Sequence, residues 1–184
     1  MNNFIIFGSP LIGKKEIKEV TDSLKSGWIG KGPKVLTFEN KFIKYKKTKY
    51  ACAVNSCTAA LHLALTNLNL KKKDEVLVPS LTFCSTINSI IHSGAKPVLV
   101  DVEENSMNID IKQLEKKINS NTKCILIVHF AGRPCKMKKI NSLAKKHGLK
   151  VIEDCAHAIE TKFHGKHVGT FGDYGCFSFY ATKN

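Results

Sequence analysis

Lys183 stands near the end of the run Gly175-Cys176-Phe177-Ser178-Phe179-Tyr180-Ala181-Thr182-Lys183-Asn184. Held in a dry site, a lysine has its pKa lowered and becomes a nucleophilic amine, able to condense with an aldehyde. Upstream, Asp154 ends the apolar run Val151-Ile152-Glu153. A carboxylate there is costly unless it meets a cation or a donor, and a pyridinium N–H is such a partner. His157, three residues on, would share a helical face with Asp154 and could reach a bound ring. Asn55-Ser56-Cys57-Thr58-Ala59-Ala60-Leu61-His62 opens a helix whose free N–H groups and dipole suit an anion, with the Ser56 and Thr58 hydroxyls at hand. Each feature has a plain structural reading too: a solvated lysine, a capping aspartate, a structural histidine, a Ser/Thr N-cap. The order and spacing of the whole set carry more weight than its members.

The elements that must position these residues are legible from periodicity. Lys14 to Ser26 carries Ile17, Val20 and Leu24 on one helical stripe, and Gly27-Trp28-Ile29-Gly30-Lys31-Gly32-Pro33 then breaks the chain. A second helix burying Val35, Phe38, Phe42 and Tyr45 follows. Strands are expected at 50–54, 75–78, 97–102, 124–129, 150–153 and 174–180. A helix through about Leu68 follows Thr58, and others fall near 111–118 and 137–147. Strands alternating with helices predict an α/β fold, a mostly parallel doubly wound sheet with helices on both faces. In such sheets ligands bind beyond the carboxyl ends of the strands. Ser56-Cys57-Thr58, Phe83, Asp154, His157 and Lys183 all follow predicted strands.

Composition excludes several classes. A chain of 184 residues, 43% hydrophobic and 24% charged, can bury a core and is not disordered. No apolar run reaches membrane-spanning length, and the stretch at residues 4–7 is no secretory signal, so the expected location is cytoplasmic and no membrane partner is expected. Seven scattered cysteines without CxxC spacing argue against a disulfide framework and a structural zinc site. The net charge of +14 invites a nucleic-acid reading, yet Arg133 is the single arginine and the lysines are spread over helix faces, so no nucleic-acid partner is expected.

From Gly27-Trp28-Ile29-Gly30 to Asn184 the chain resembles the DegT/StrS-type sugar aminotransferases, pyridoxal phosphate (PLP) enzymes of fold type I. The resemblance rests on Asn55-Ser56-Cys57-Thr58-Ala59-Ala60-Leu61, Glu153-Asp154-Cys155-Ala156-His157 and Phe177-Ser178-Phe179-Tyr180-Ala181-Thr182-Lys183-Asn184. It implies that Lys183 is the Schiff-base lysine and proton-shuttling base and that Asp154 pairs with the pyridine N–H. It implies further that His157 lies beside the ring oxygen, that Phe83 stacks on the ring, and that Ser178 with the Cys57-Thr58 helix start holds the phosphate. The loop from Trp28 to Gly32 would lie near substrate. The implied reaction moves an amino group, from glutamate, to a nucleotide-linked keto sugar in surface-polysaccharide or amino-sugar biosynthesis, in a homodimer. Sugar dehydratases of the family carry histidine at the lysine position, so Lys183 points away from that branch.

The resemblance also sets the expected organisation: an N-terminal helical segment over 1–26 and a PLP-binding large domain over 27–184, incomplete at its C-terminus and possessing no counterpart to the family's C-terminal domain. Cys57 stands where the family often has glycine, Ala181 where it has proline, and Lys136 where it has aspartate. Two alternatives remain open: another PLP-dependent amino-group transfer on the same fold, and a non-catalytic basic binding module.

Overall fold

The computed structural model describes Gly8 and residues 10–183; residues 4–7 and Asn184, both invoked above, lie outside that range. The chain forms two compact units, one of residues up to Ala53 together with 180–183, the other of 54–179. This division falls after Ala53, where the sequence expectation places a boundary after Ser26.

In the smaller unit, α1 (Lys14–Ser26) starts where the Glu16 carboxylate accepts the Gly13 N–H at 2.7 Å. It stops at Gly27, whose φ of 76° is a left-handed cap that glycine adopts without Cβ strain. Pro33 opens α2 (Pro33–Lys46), as suits a residue without an N–H to lose in a first turn. Lys34 Nζ reaches the Glu19 carboxylate at 2.6 Å, linking α2 to α1. The apolar side of α2 departs from expectation: Val35 and Phe42 are half-buried, whereas Phe38 and Tyr45 are exposed. Phe38 and Phe42, one helical turn apart, lean on each other with ring centroids 6.0 Å apart. Residues 50–54 form no strand. The Ala53 N–H donates to Glu39 Oε1 at 2.9 Å, a side-chain partner in place of a ladder.

The larger unit opens with α3 (Cys57–Thr66), capped by Ser56, whose hydroxyl accepts the Ala59 N–H. There follow β1 (Glu75–Pro79), α4 (Cys84–His92), β2 (Lys96–Val100), α5 (Ile111–Lys117), β3 (Thr122–Val128), α6 (Met137–His147) and β4 (Lys150–Cys155). A short antiparallel ribbon, β5 (Lys162–Phe163) and β6 (Lys166–His167), precedes β7 (Tyr174–Phe177). The main sheet is parallel throughout, in the order β2-β1-β3-β4-β7. Because β1, β3 and β4 are buried on both faces, they read as apolar runs rather than alternating ones.

Alternation along each strand separates two cores. Val76, Val78, Cys124, Leu126, Ile152 and Cys176 face one side, under Leu61 and Leu65 of α3 and Ile90 of α4. Leu77, Ile125, Ile127 and Val151 face the other, under Leu114 of α5 and Met137, Ile140 and Leu143 of α6. The doubly wound α/β sheet with helices on both faces is therefore as expected. β7 ends at Phe177 rather than Tyr180, and residues 178–180 leave the ladder.

Candidate active site

Asp154 points from β4 toward the face covered by α3 and α4, since it shares that side with Ile152 and lies opposite Cys176 in register. It is 5% exposed. Its Oδ2 accepts the Thr86 hydroxyl at 2.9 Å and its Oδ1 accepts the Ala156 N–H at 3.1 Å. The Cys57 thiol lies 4.0 Å from the same Oδ1. Burial pushes the Asp154 carboxyl up from its ordinary value, against the Ala156 N–H and the Thr86 hydroxyl, which favour the ionised form.

Cys57 is the first residue of α3, and Thr86 sits in the first turn of α4 just beyond Phe83. The starts of both helices are thus tied to one carboxylate. The chain runs from β1 out to β2 and returns past β1 to β3, so the strand order reverses between β1 and β3. Asp154 lies one strand further on, at the carboxyl end of β4, on the edge where such sheets bind ligands.

Other expected residues are placed as follows. Phe83 is the N-cap of α4 and is 76% exposed, free to offer a ring face. Ser178 directly follows β7 and is half-buried. His157 is exposed on a turn, closed by the Ala158 N–H donating to the Cys155 carbonyl at 2.9 Å. No helix follows Asp154, so the shared helical face expected for Asp154 and His157 is not formed; the Asp154 side chain instead folds back onto the Ala156 N–H. Lys183 belongs to the smaller unit. It is half-buried, and its N–H donates to the Tyr180 carbonyl at 2.9 Å. In that unit Trp28, Gly30, Gly32, Pro33 and Lys34 line an open cavity of about 210 Å³.

Sequence reasoning passed over Glu153 and His129, both fully buried. Glu153 points to the opposite face from Asp154. Its Oε2 meets His129 Nε2 at 3.0 Å and accepts the Gly169 N–H at 2.7 Å, while Oε1 accepts the N–H groups of Phe171 and Gly172, each at 2.7 Å. His129 Nδ1 accepts the Cys135 N–H at 3.0 Å, which assigns the proton to Nε2 and makes that nitrogen the donor to Glu153. Burial pushes the Glu153 carboxyl up, but His129 and the backbone N–H groups of Gly172 and Gly169 outweigh it and hold the group below its usual value. Ligand atoms of His129, Glu153 and Cys155 fall within 4.8 Å of one another. Those of His129 and Glu153 are committed to hydrogen bonds, so the cluster reads as a clasp rather than a metal centre. The available signal was two successive carboxylates in a buried strand, which must find donors on opposite faces.

The parallel α/β sheet with helices on both faces matches the fold of solved sugar aminotransferases. The chain belongs to the DegT/DnrJ/EryC1/StrS aminotransferase family, which it matches over residues 10–184. It is 51% identical to the spore coat polysaccharide biosynthesis protein SpsC of Bacillus subtilis, over 100% of this chain and 47% of that protein. It is 44% identical to the GDP-perosamine synthase of Escherichia coli O157:H7, over 95% of this chain and 48% of that protein. Spr1654 of Streptococcus pneumoniae, assigned as a sugar aminotransferase and solved in PLP form, superposes with a TM-score of 0.94 at 35% identity, covering 97% of this chain and 50% of that one. The chain therefore spans about half the length of the relatives it matches.

Proposed function

We propose that this chain is the cofactor-binding part of a PLP-dependent aminotransferase that transfers an amino group, from glutamate, to a nucleotide-linked keto sugar destined for surface polysaccharide. The observation that carries the reading is Asp154: a carboxylate buried to 5% exposure, given hydroxyl and N–H donors, at a strand end beside a helix start. Burial alone would neutralise it. A bound pyridinium N–H repays that desolvation, and a carboxylate accepting two hydrogen bonds retains lone pairs for a third. The α3 start fits a phosphate, because the first-turn N–H groups of a helix point out along its axis and its dipole favours an anion there.

When bound, PLP supplies an electron sink that lets a proton leave the substrate Cα. Asp154 keeps the ring nitrogen protonated, so that sink stays effective. Lys183 would hold the cofactor through its Nζ and would carry the proton at the substrate Cα. Phe83 would cover the ring face, His157 would serve the ring oxygen, and Ser178 with the Cys57-Thr58 helix start would hold the phosphate. The Trp28–Gly32 loop borders the substrate. The sugar assignment draws on the 44% identity to GDP-perosamine synthase and on the name of the SpsC relative. The working enzyme is a cytoplasmic homodimer on this reading.

The test is incubation of the intact gene product with PLP, glutamate and a panel of nucleotide-linked keto sugars, followed by mass spectrometry. Glutamate-dependent replacement of a sugar ketone by an amine supports the proposal. Amino transfer only among 2-oxo acids would assign the chain to a different PLP reaction, and no transfer to any acceptor would remove the enzyme reading.

A further inference from the structure

In the helices of this chain, hydroxyl side chains commonly donate back to their own backbone. Thr21, Ser23, Thr37, Thr66 and Ser89 each bond the carbonyl four residues earlier. Thr86 does otherwise. It is fully buried, and its hydroxyl crosses from α4 to Asp154 Oδ2 at 2.9 Å. Behind it the Thr82 hydroxyl stands 2.7 Å from Thr86 Oγ1. An ionised carboxylate only accepts, so Thr86 must donate to Asp154, and its own oxygen then accepts from Thr82. The two hydroxyls form a directed relay that ends on one oxygen of the carboxylate.

We propose that Thr86, backed by Thr82, is a positioning residue for Asp154: the relay fixes Oδ2, favours the charged carboxylate, and so keeps a bound pyridine nitrogen protonated. The proposal rests on the reading of Asp154 as the partner of that nitrogen. Geometry favours it over simple packing. A buried threonine needed only for shape would return its hydroxyl to a helix carbonyl, whereas this one reaches a different element. Among the described residues, Oδ1 is met by the Ala156 N–H and the distant Cys57 thiol, which leaves it capacity for a ligand donor. Aligned donors in a chain polarise one another, so removing Thr82 should weaken the effect without abolishing it.

The experiment compares the intact wild-type protein with Thr86→Val, Thr86→Ser and Thr82→Val, each loaded with PLP labelled with nitrogen-15 on the ring. The nitrogen resonance reports ring protonation independently of turnover. For Thr86→Val it should move toward the unprotonated position, with kcat falling about ten- to a hundredfold, the worth of a hydrogen bond to a charged group, while KM changes little. Thr86→Ser, which restores the hydroxyl, should behave as wild type, and Thr82→Val should shift the resonance in the same direction by less. Wild-type resonance and kcat in Thr86→Val, or equal losses in the Val and Ser variants, would overturn the relay while leaving the functional reading intact. Failure of the wild type itself to bind PLP would overturn both. Should Thr86→Val not fold, Thr82→Val decides: no shift there overturns the relay.

Discussion

Adjacent residues in a strand face opposite ways, and Glu153 and Asp154 turn that geometry into opposite electrostatic settings. Glu153 has donors on both oxygens, and its pKa is held below the ordinary 4.5. The stability it contributes is present above the unfolded value and lost as pH falls through the lowered one. Asp154 has fewer donors, and its pKa lies above 3.8. The folded chain therefore holds that proton more tightly than the unfolded chain, and stability falls as pH rises from 3.8 through the raised value. At neutral pH the ligand-free protein bears this cost. Asp154→Asn should then raise the apoprotein's Tm while abolishing turnover; paired melts and assays check it. Glu153 predicts the reverse. Each of its oxygens faces two donors, so an amide nitrogen at either position would meet N–H against N–H. Glu153→Gln should destabilise nearly as much as Glu153→Ala, on the order of 3 kcal/mol or more from orphaned donors at about 1–3 each. Urea unfolding reads both, and a benign Gln variant would contradict the clasp.

The elements were legible where periodicity was long and obscured where tertiary contacts decide. The limits of α1 and α6 agree with the expected ones, because amphipathic stripes with glycine caps are local signals. Strands β1 to β4 were found within a few residues, since buried parallel strands are unbroken apolar runs. Residues 50–54 have the composition of a strand, but they pair with no neighbour among the described residues, and the Ala53 N–H is taken by the Glu39 carboxylate instead. The helix imagined after Asp154 is a turn, because the carboxylate captures the Ala156 N–H. Cys57 and Asp154 could be singled out in the sequence, and the structure brings them within 4.0 Å of each other, whereas Thr86 and His129 become visible only when strands and helices meet. Near β7 the constraint is steric. A Cβ on Gly175 would run into the Gly169 backbone, in the segment that Glu153 pins, and Gly169 itself has φ 80° with the Phe177 ring over it. Gly175→Ala should therefore cost about 1–3 kcal/mol as an overpacking change, measurable as a lowered unfolding midpoint.

At the scale of the molecule, the net charge is +14. The charge is almost all lysine. Among the described residues no helix is long and apolar enough to cross a membrane. Ile17, Val20 and Leu24 of α1 are each more than half exposed, so the helical stripe read from the sequence faces no core among the described residues. The central claim of the proposed function is that Lys183 is the lysine that would carry the cofactor. Borohydride reduction of the intact gene product supplied with PLP, followed by peptide mass mapping, tests it most directly. The account predicts a reduced pyridoxyl group on Lys183, lost in Lys183→Ala. A folded protein that takes up no pyridoxyl group, or takes it up at a different lysine, would contradict the assignment and leave the family relationship as one of fold alone.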